Sequence, residues 1–321
     1  MWLPVAITAY FINAGVYLAD KFLLSKKIHS SIVYSFYVGI WSIFNLFLLF
    51  FAPWVPSLNE LLIDLSAGLL FLITLIFWYK ALHQSEATRV VPIVGGLVPV
   101  FSLVFSMIFL GESLDEKQLL AFVILITGGV LISVKRTRFY MIKKVYDRVR
   151  SVFGDTLGEI HAKYRPGRRL LLNSIVSAFF FAAFYVLMKY IYLHQPFIGS
   201  FVWSRLGTFL GALFLLVVPS WRKDIFSYQE SATAPKSLSF FLTVRLSAAL
   251  AFIMLNWAID LGNVAMVNAL QGVQYLFFII FAVIISVRFP KVFSEEIGKE
   301  ILAQKLIGAG LVSIGLYMLV V

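Results

Sequence analysis

The stretch VAMVNALQGVQYLFFIIFAVIISV, residues 264–287, contains no charged side chain and is long enough to cross a bilayer as a helix. Two glutamines, Gln271 and Gln274, occur within it three residues apart, so a helix places both amides on one face. Hydrocarbon offers an amide no hydrogen-bond partner. The stretch therefore predicts a membrane-spanning helix with one polar face, which either lines a wet cavity or bonds to a neighbouring helix.

The rest of the chain has the same apolar character. Of its 321 residues, 61% are hydrophobic and 13% are charged, whereas soluble domains average about 25% charged residues. The sequence lacks the alternating pattern of a transmembrane barrel, and the absence of cysteine excludes disulfides and thiol catalysis. The fold class expected is an all-α membrane protein with ten transmembrane helices, at roughly residues 2–22, 31–52, 62–82, 87–110, 117–134, 170–193, 197–219, 237–261, 264–287 and 301–321.

The distribution of basic residues predicts the orientation. Of the 27 Lys and Arg residues, 23 lie in or beside the connections that follow odd-numbered spans. The positive-inside rule places those connections in the cytoplasm and both termini outside, in the plasma (inner) membrane. This topology accounts for the net charge of +11 without nucleic acid. The most basic connection, residues 135–169, has apolar residues at helical spacing, which predicts an interfacial helix beside anionic headgroups, with a solvated linker as the alternative.

The two halves of the chain, residues 1–134 and 170–321, resemble each other. Tyr17 corresponds to Tyr185, and Lys21 to Lys189, at the same offset of 168 residues. In the fourth and ninth spans GGLVPVF (95–101) aligns with QGVQYLF (271–277), and in the fifth and tenth QLLAFVILITGGVLI (118–132) aligns with QKLIGAGLVSIGLYM (304–318). Because each half has an odd number of spans, the copies are expected to be inverted five-helix repeats with a site between them.

Residues 78–133 resemble a known module. They combine an aromatic residue followed by Ala-Leu, a mid-helix proline, a Gly-Glu pair closing the fourth span and a glycine-rich fifth span. In these features the segment is similar to the repeated unit of the EamA-type drug/metabolite transporter superfamily. The second copy departs from the pattern at Tyr275, where the proline is common, and in the charged insertion VRFPKVFSEEIGKE (287–300). The resemblance implies a ten-span transporter and leaves the substrate open.

Polar residues within spans are the candidate substrate ligands. Gln271 and Gln274 are joined by Asn256, by Asn13 and by the repeat-related pair Tyr17 and Tyr185. Each has a structural alternative, because the amides could bond between helices and the tyrosines could pack. The aromatic residues at span ends, Trp78, Tyr79 and Trp257, are interpreted as interface anchors.

Charged residues within spans are costly and therefore informative. Arg205 is a candidate substrate or gating contact, whereas Arg245 is close enough to a span end to reach the interface instead. Lys21 and Lys189 are candidate gating residues, with Asp20 and Asp260 as candidate coupling residues. Every acidic residue near a span lies at or near its end.

The function expected is secondary transport of a small polar solute by alternating access, with neutral, zwitterionic or anionic solutes favoured. The alternatives are a proton-coupled multidrug or cation exporter and a scaffold or lipid-handling protein without transport activity. An enzyme is disfavoured because the four histidines are scattered and no acid pair is embedded. No cofactor, metal site or ATP-binding loop is indicated. Small residues in spans 5 and 10 predict close packing between these spans, or a homodimer face.

Overall fold

Helices form every regular element in the part of the chain that the structure describes. The computed structural model describes residues 1–26, 30–84, 87–133, 168–229, 235–288 and 299–320. The helices are α1 (Trp2–Lys26), α2 (Ser31–Trp41), α3 (Leu58–Gln84), α4 (Ala87–Phe105), α5 (Glu116–Ser133), α6 (Arg168–His194), α7 (Phe197–Leu215), α8 (Pro219–Gln229), α9 (Pro235–Leu261), α10 (Val264–Ala269), α11 (Gln271–Arg288) and α12 (Lys299–Val320). A 3₁₀ helix, Ser42–Phe50, continues α2, and a π-helical turn, Ser106–Leu110, continues α4. The all-α fold is confirmed for this part of the chain.

Each predicted span coincides with a helix or with two consecutive helical segments. Within the described residues, six stretches are long and apolar enough to cross a membrane: Ser31–Phe50, Leu58–Gln84, Ile93–Leu110, Arg168–His194, Phe197–Leu215 and Leu242–Leu261. The count of ten spans and their inverted repetition stay predictions. The sequence did not predict α8, nor the break at Leu270 that divides the ninth span into α10 and α11.

The 3₁₀ helix sorts its side chains onto three edges, two of which matter here. Residues three apart are nearly eclipsed in a 3₁₀ helix, whereas in an α-helix they are offset by about 60°. Ser42, Asn45 and Leu48 consequently share an edge that faces the interior of the bundle. Phe44 and Phe47 belong to the other edge, and their side chains are 65% and 63% exposed.

Helices from the two halves of the chain pack against one another. Helix α3 packs on α6 and α7, α1 packs on α9 and α11, and α4 packs on α6. The tightest crossing lies between α3 and α7, where a Cβ on Gly68 would approach the backbone nitrogen of Thr208 to 2.5 Å. The Thr208 hydroxyl donates a hydrogen bond to the Gly68 carbonyl at 3.1 Å. This contact fixes α7, and with it Arg205, against α3.

Helices α5 and α12 form the close pair expected from their small residues. A Cβ on Gly128 would lie 2.8 Å from the Gly308 carbonyl oxygen, so the two backbones approach each other as only glycine allows. The packing of spans 5 and 10 within one chain is thus confirmed. Their role as a homodimer face stays a prediction.

Several predictions fall outside the described residues. The proposed interfacial helix in 135–169 does so except for its last two residues, which begin α6. The side chains of Tyr17, Asp20 and Lys21 are also outside the description, although their backbones belong to α1.

Candidate functional site

A cavity of about 610 Å³ lies in the interior of the bundle. Its walls come from α1, α2, the 3₁₀ helix, α3, α4, α6, α7, α9, α10 and α11, so both halves of the chain contribute. Most lining residues are apolar or aromatic, as in small-molecule sites generally. The polar lining includes Arg205, Arg245 and amides from α1, the 3₁₀ helix, α10 and α11, and no acidic residue is found among the described lining residues.

Arg205 is buried in the cavity wall, and no described residue forms an ion pair with it. Its side chain is 4% exposed, and its Nε and Nη2 atoms have no hydrogen-bond partner among the described residues. Four phenylalanine rings surround the guanidinium, with its carbon 4.4 Å from the centroid of Phe71, 4.7 Å from that of Phe252 and 5.4 Å from those of Phe184 and Phe201. Cation–π contacts of this kind are worth up to about 2 kcal/mol each when desolvated.

The rings stabilise the cation but leave its donors unused. A guanidinium presents five N–H groups in a planar fork that matches a carboxylate or phosphate. Burying a charge costs several kcal/mol, which the ring contacts offset without using the Nε and Nη2 donors. Arg205 therefore has unused donors that match an anion, and no described residue supplies one.

Arg245 is the second cation of the cavity, and it does have a partner. Its Nη2 donates to the Tyr34 hydroxyl, and its guanidinium carbon lies 5.2 Å from the centroid of the Tyr34 ring. The Tyr34 ring packs edge-to-face on Tyr79 at 4.4 Å. Arg245 thus joins α9 to α2 instead of extending to the membrane surface, the alternative that the sequence left open.

The glutamines that begin α11 line the opposite wall. Gln271 and Gln274 both border the cavity, and neither amide bonds to another described residue. Asn13 on α1 lines the cavity as well. Asn268, three residues before Gln271, continues the polar edge and donates to the Ser102 hydroxyl at 2.8 Å. Both amides border the cavity, where an amide can donate to and accept from a polar group of a solute.

The other predicted ligands with described side chains, Tyr185 and Asn256, lie in different environments. Tyr185 lines the cavity and is 8% exposed. Asn256 does not line it: its Oδ1 accepts from the Tyr192 hydroxyl at 3.0 Å, and its Nδ2 donates to the Phe252 carbonyl at 2.9 Å. Both ends of the Asn256 amide are thus satisfied by the protein.

The interpretation of the span-end aromatics as interface anchors is wrong for two of the three. Trp78 and Tyr79 are buried, at 6% and 7% exposure, and both line the cavity. Helix α3 extends to Gln84, so these rings lie farther from its end than the sequence suggested. Trp257, at 45% exposure, faces outward.

One end of the bundle consists of the connections 51–57, 111–115, 195–196 and 262–263, and we call it the short-loop end. Hydrogen bonds join segments of the chain at this end. Lys189 Nζ donates to the Asp260 carbonyl at 2.8 Å. Glu112 follows Gly111, which ends the π turn at φ 67°, a left-handed conformation that favours glycine. The Glu112 carboxylate accepts from Asn263 Nδ2 at 2.9 Å. Burial raises the pKa of Glu112, and the Lys189 ammonium partly offsets this rise.

A buried carboxylate lies near the same end. Asp64, on the second turn of α3, is fully buried, and the Gln195 amide, with its nitrogen turned toward it, donates to both carboxylate oxygens at 3.0 and 3.1 Å. The sequence placed Asp64 near a span end, and proximity along the chain gave no sign of its burial. Among the described residues, no group of three or more acidic or histidine side chains could hold a metal ion.

Several cavity residues were missed at the level of sequence. Asn268 was recognisable, since it precedes Gln271 by three residues and extends the same polar face. Ser42 and Asn45 line the cavity from the 3₁₀ helix, but polar residues of this size are common in membrane helices and carried no distinguishing signal.

Comparisons with known proteins agree with this architecture. Residues 1–134 match the EamA-like transporter family. A solved crystal structure superimposes with a TM-score of 0.60 over 98% of this chain and 94% of its own, at 13% sequence identity, which shows a shared fold. No curated protein gives a significant match. The family consists of transporters, which fits the expectation of a non-enzyme. The first 134 residues thus match the EamA-like transporter family, and the chain is a multi-pass integral membrane protein.

Proposed function

We propose that the chain is a secondary transporter of a small organic anion, working by alternating access. One observation carries the proposal: the cavity is lined by two arginines and, among the described residues, by no acid. Arg205 in particular is buried with unused donors. An anion would supply the missing counter-charge and two or more charge-assisted hydrogen bonds. Of the neutral, zwitterionic and anionic solutes that the sequence favoured, the anion fits this site best.

Alternating access is supported by contacts that join segments at the short-loop end. Three segments are joined there by the hydrogen bonds Lys189–Asp260 and Asn263–Glu112. We assign Lys189 and Asp260 to a gate at the short-loop end. The repeat pattern assigns Lys21 and Asp20 to the opposite end. We further propose that ten helices form two inverted repeats, with both termini and the short-loop end outside the cytoplasm.

Export of cations coupled to protons is less well supported. An exporter of that kind needs an acid in the cavity that binds either the proton or the cation. The described lining has none, and its two arginines repel a cation.

Thiol labelling tests the aqueous path, because the chain has no cysteine of its own. Gln274 and Val273 are neighbours on α11 with exposures of 2% and 3%, but only Gln274 lines the cavity. A membrane-impermeant thiol reagent should label Q274C in oriented vesicles and leave V273C unreacted. Lack of labelling of Q274C from both sides would contradict the transport proposal and favour a scaffold.

A further inference from the structure

We infer that the transported anion is amphipathic and enters the cavity sideways, from the bilayer, through a slot between the 3₁₀ helix and α9. The inference rests on the proposed transport function and names its substrate class: a single carboxylate attached to an apolar body.

The slot is visible as a shared border between the cavity and the outer surface of the bundle. Phe44 and Phe47 on the 3₁₀ helix and Leu246 on α9 all line the cavity. The same side chains are 65%, 63% and 70% exposed. Exposure this large at the border of the cavity indicates an opening, and because both helices belong to apolar stretches long enough to span a membrane, we take the opening to face lipid.

The packing of the two helices explains why the slot exists. The 3₁₀ helix packs on α7, and α9 packs on α1, while within the described residues these two walls make no substantial contact with each other. Arg245 bridges α9 to Tyr34 on α2 and so limits the slot at one end. The remaining gap lies beside Asn45 and Leu48, which line the cavity from the 3₁₀ helix.

The lining beyond the slot defines the ligand. The Nε and Nη2 atoms of Arg205 lack partners among the described residues, and these two donors match the two oxygens of one carboxylate. The surrounding walls are largely aliphatic and aromatic, which suits an apolar body. The Ser42 hydroxyl, at the start of the 3₁₀ helix, donates to the Arg205 carbonyl at 2.9 Å, so the slot wall and the cation are directly connected.

The cavity volume sets the size of this ligand. At about 30 Å³ for each water-sized group, 610 Å³ holds about 20 such groups. A single-chain amphiphile fits within that limit, and a diacyl phospholipid exceeds it. A lipid of the bilayer is therefore not the expected occupant, although its phosphate would suit Arg205.

Chain-length dependence tests the substrate class. The full chain carrying Q274C is placed in phosphatidylcholine nanodiscs, and butanoate, hexanoate, octanoate and decanoate are compared for slowing of thiol labelling. Affinity should rise about fourfold per methylene until the cavity is filled. Decanol, which partitions into the bilayer through the same chain, and decylamine should each protect at least tenfold less than decanoate.

Obstruction of the slot tests the route. L246W narrows the opening, whereas L250W places the same ring at an exposed position of α9 that does not line the cavity. L246W should slow the onset of protection by decanoate at least tenfold, and L250W should leave it unchanged. Equal effects of the two variants would overturn the sideways route.

The outcomes separate this inference from the proposed function. If Q274C is labelled but hydrophilic anions protect it and alkyl carboxylates do not, transport stands and the amphipathic substrate is refuted. If phosphatidylglycerol in the nanodisc slows labelling without added carboxylate, a lipid headgroup is the anion and the inference is overturned. If Q274C is never labelled, the proposed function itself fails.

Discussion

Replacing Arg205 by methionine should separate the stability of the fold from the binding of anions. The change removes a buried cation whose desolvation costs several kcal/mol, and with it four ring contacts that recover up to about 2 kcal/mol each. These terms nearly cancel, so the unfolding free energy of R205M should stay within about 1 kcal/mol of the natural chain. The binding of a carboxylate loses at least one charge-assisted hydrogen bond of up to about 3 kcal/mol, which is about a hundredfold in affinity.

Two measurements on the same nanodisc sample decide the matter: the thermal midpoint, and the decanoate concentration that halves thiol labelling in a Q274C background. R205K keeps the positive charge but lacks the planar fork of donors, so its affinity for decanoate should lie between those of the natural chain and R205M. R222M, the same change at an exposed arginine of α8, should alter neither quantity. A large loss of stability in R205M with unchanged decanoate affinity would refute the reasoning, since Arg205 would then be a structural residue held by its rings.

Three further predictions concern the scaffold and the short-loop end. G68A should lower the unfolding free energy by about 1–3 kcal/mol, because its Cβ would meet the α7 backbone. G310A, where a Cβ meets nothing within 4 Å, should be neutral or stabilising. Denaturation of the two variants compares them directly. Burial raises the folded-state pKa of Glu112 above 4.5, so the contribution of this carboxyl group to stability should be greatest below pH 4.5. That contribution should be lost as pH rises through the raised pKa. Thermal midpoints measured across this pH range should lose this pH-dependent change in E112Q. The control E116Q, at an exposed position, should retain it. N256L should lower stability by about 1–3 kcal/mol by leaving the Tyr192 hydroxyl without its acceptor, yet leave decanoate affinity unchanged; an equal loss of affinity would return Asn256 to the binding site.

The helical segments were predictable because hydrophobicity along a membrane chain is a local property. An apolar run of sufficient length has to satisfy its own backbone, and only a helix does so within one segment. The pairing of α5 with α12 was also predictable, since Gly128 and Gly308 permit a close approach that larger residues forbid. Gln271, Gln274 and Arg205 were recognisable as candidates because polarity within an apolar run is costly wherever it occurs.

The partners of these residues were not predictable, because they depend on contacts between distant segments. Arg245 and Tyr34 are 211 residues apart in the chain, and no local pattern joins them. The sequence has 32 phenylalanines, so nothing marked the four that surround Arg205. Asp64 shows the same limit: its place near a span end was visible in the sequence, but its burial depends on Gln195 and on neighbouring helices.

The 3₁₀ helix has a mechanical consequence, because it is wound more tightly than the α-helix that precedes it. Its nine residues make about three turns over about 18 Å, whereas as an α-helix they would make about two and a half turns over about 13.5 Å. Rewinding the segment would thus shorten it by about 4.5 Å and rotate its far end by about half a turn. The rotation would grow along the segment, so Leu48 would turn away from the cavity while Ser42, at the start, would keep its place. This motion requires only a change of helical pitch within one segment, and it requires no hinge.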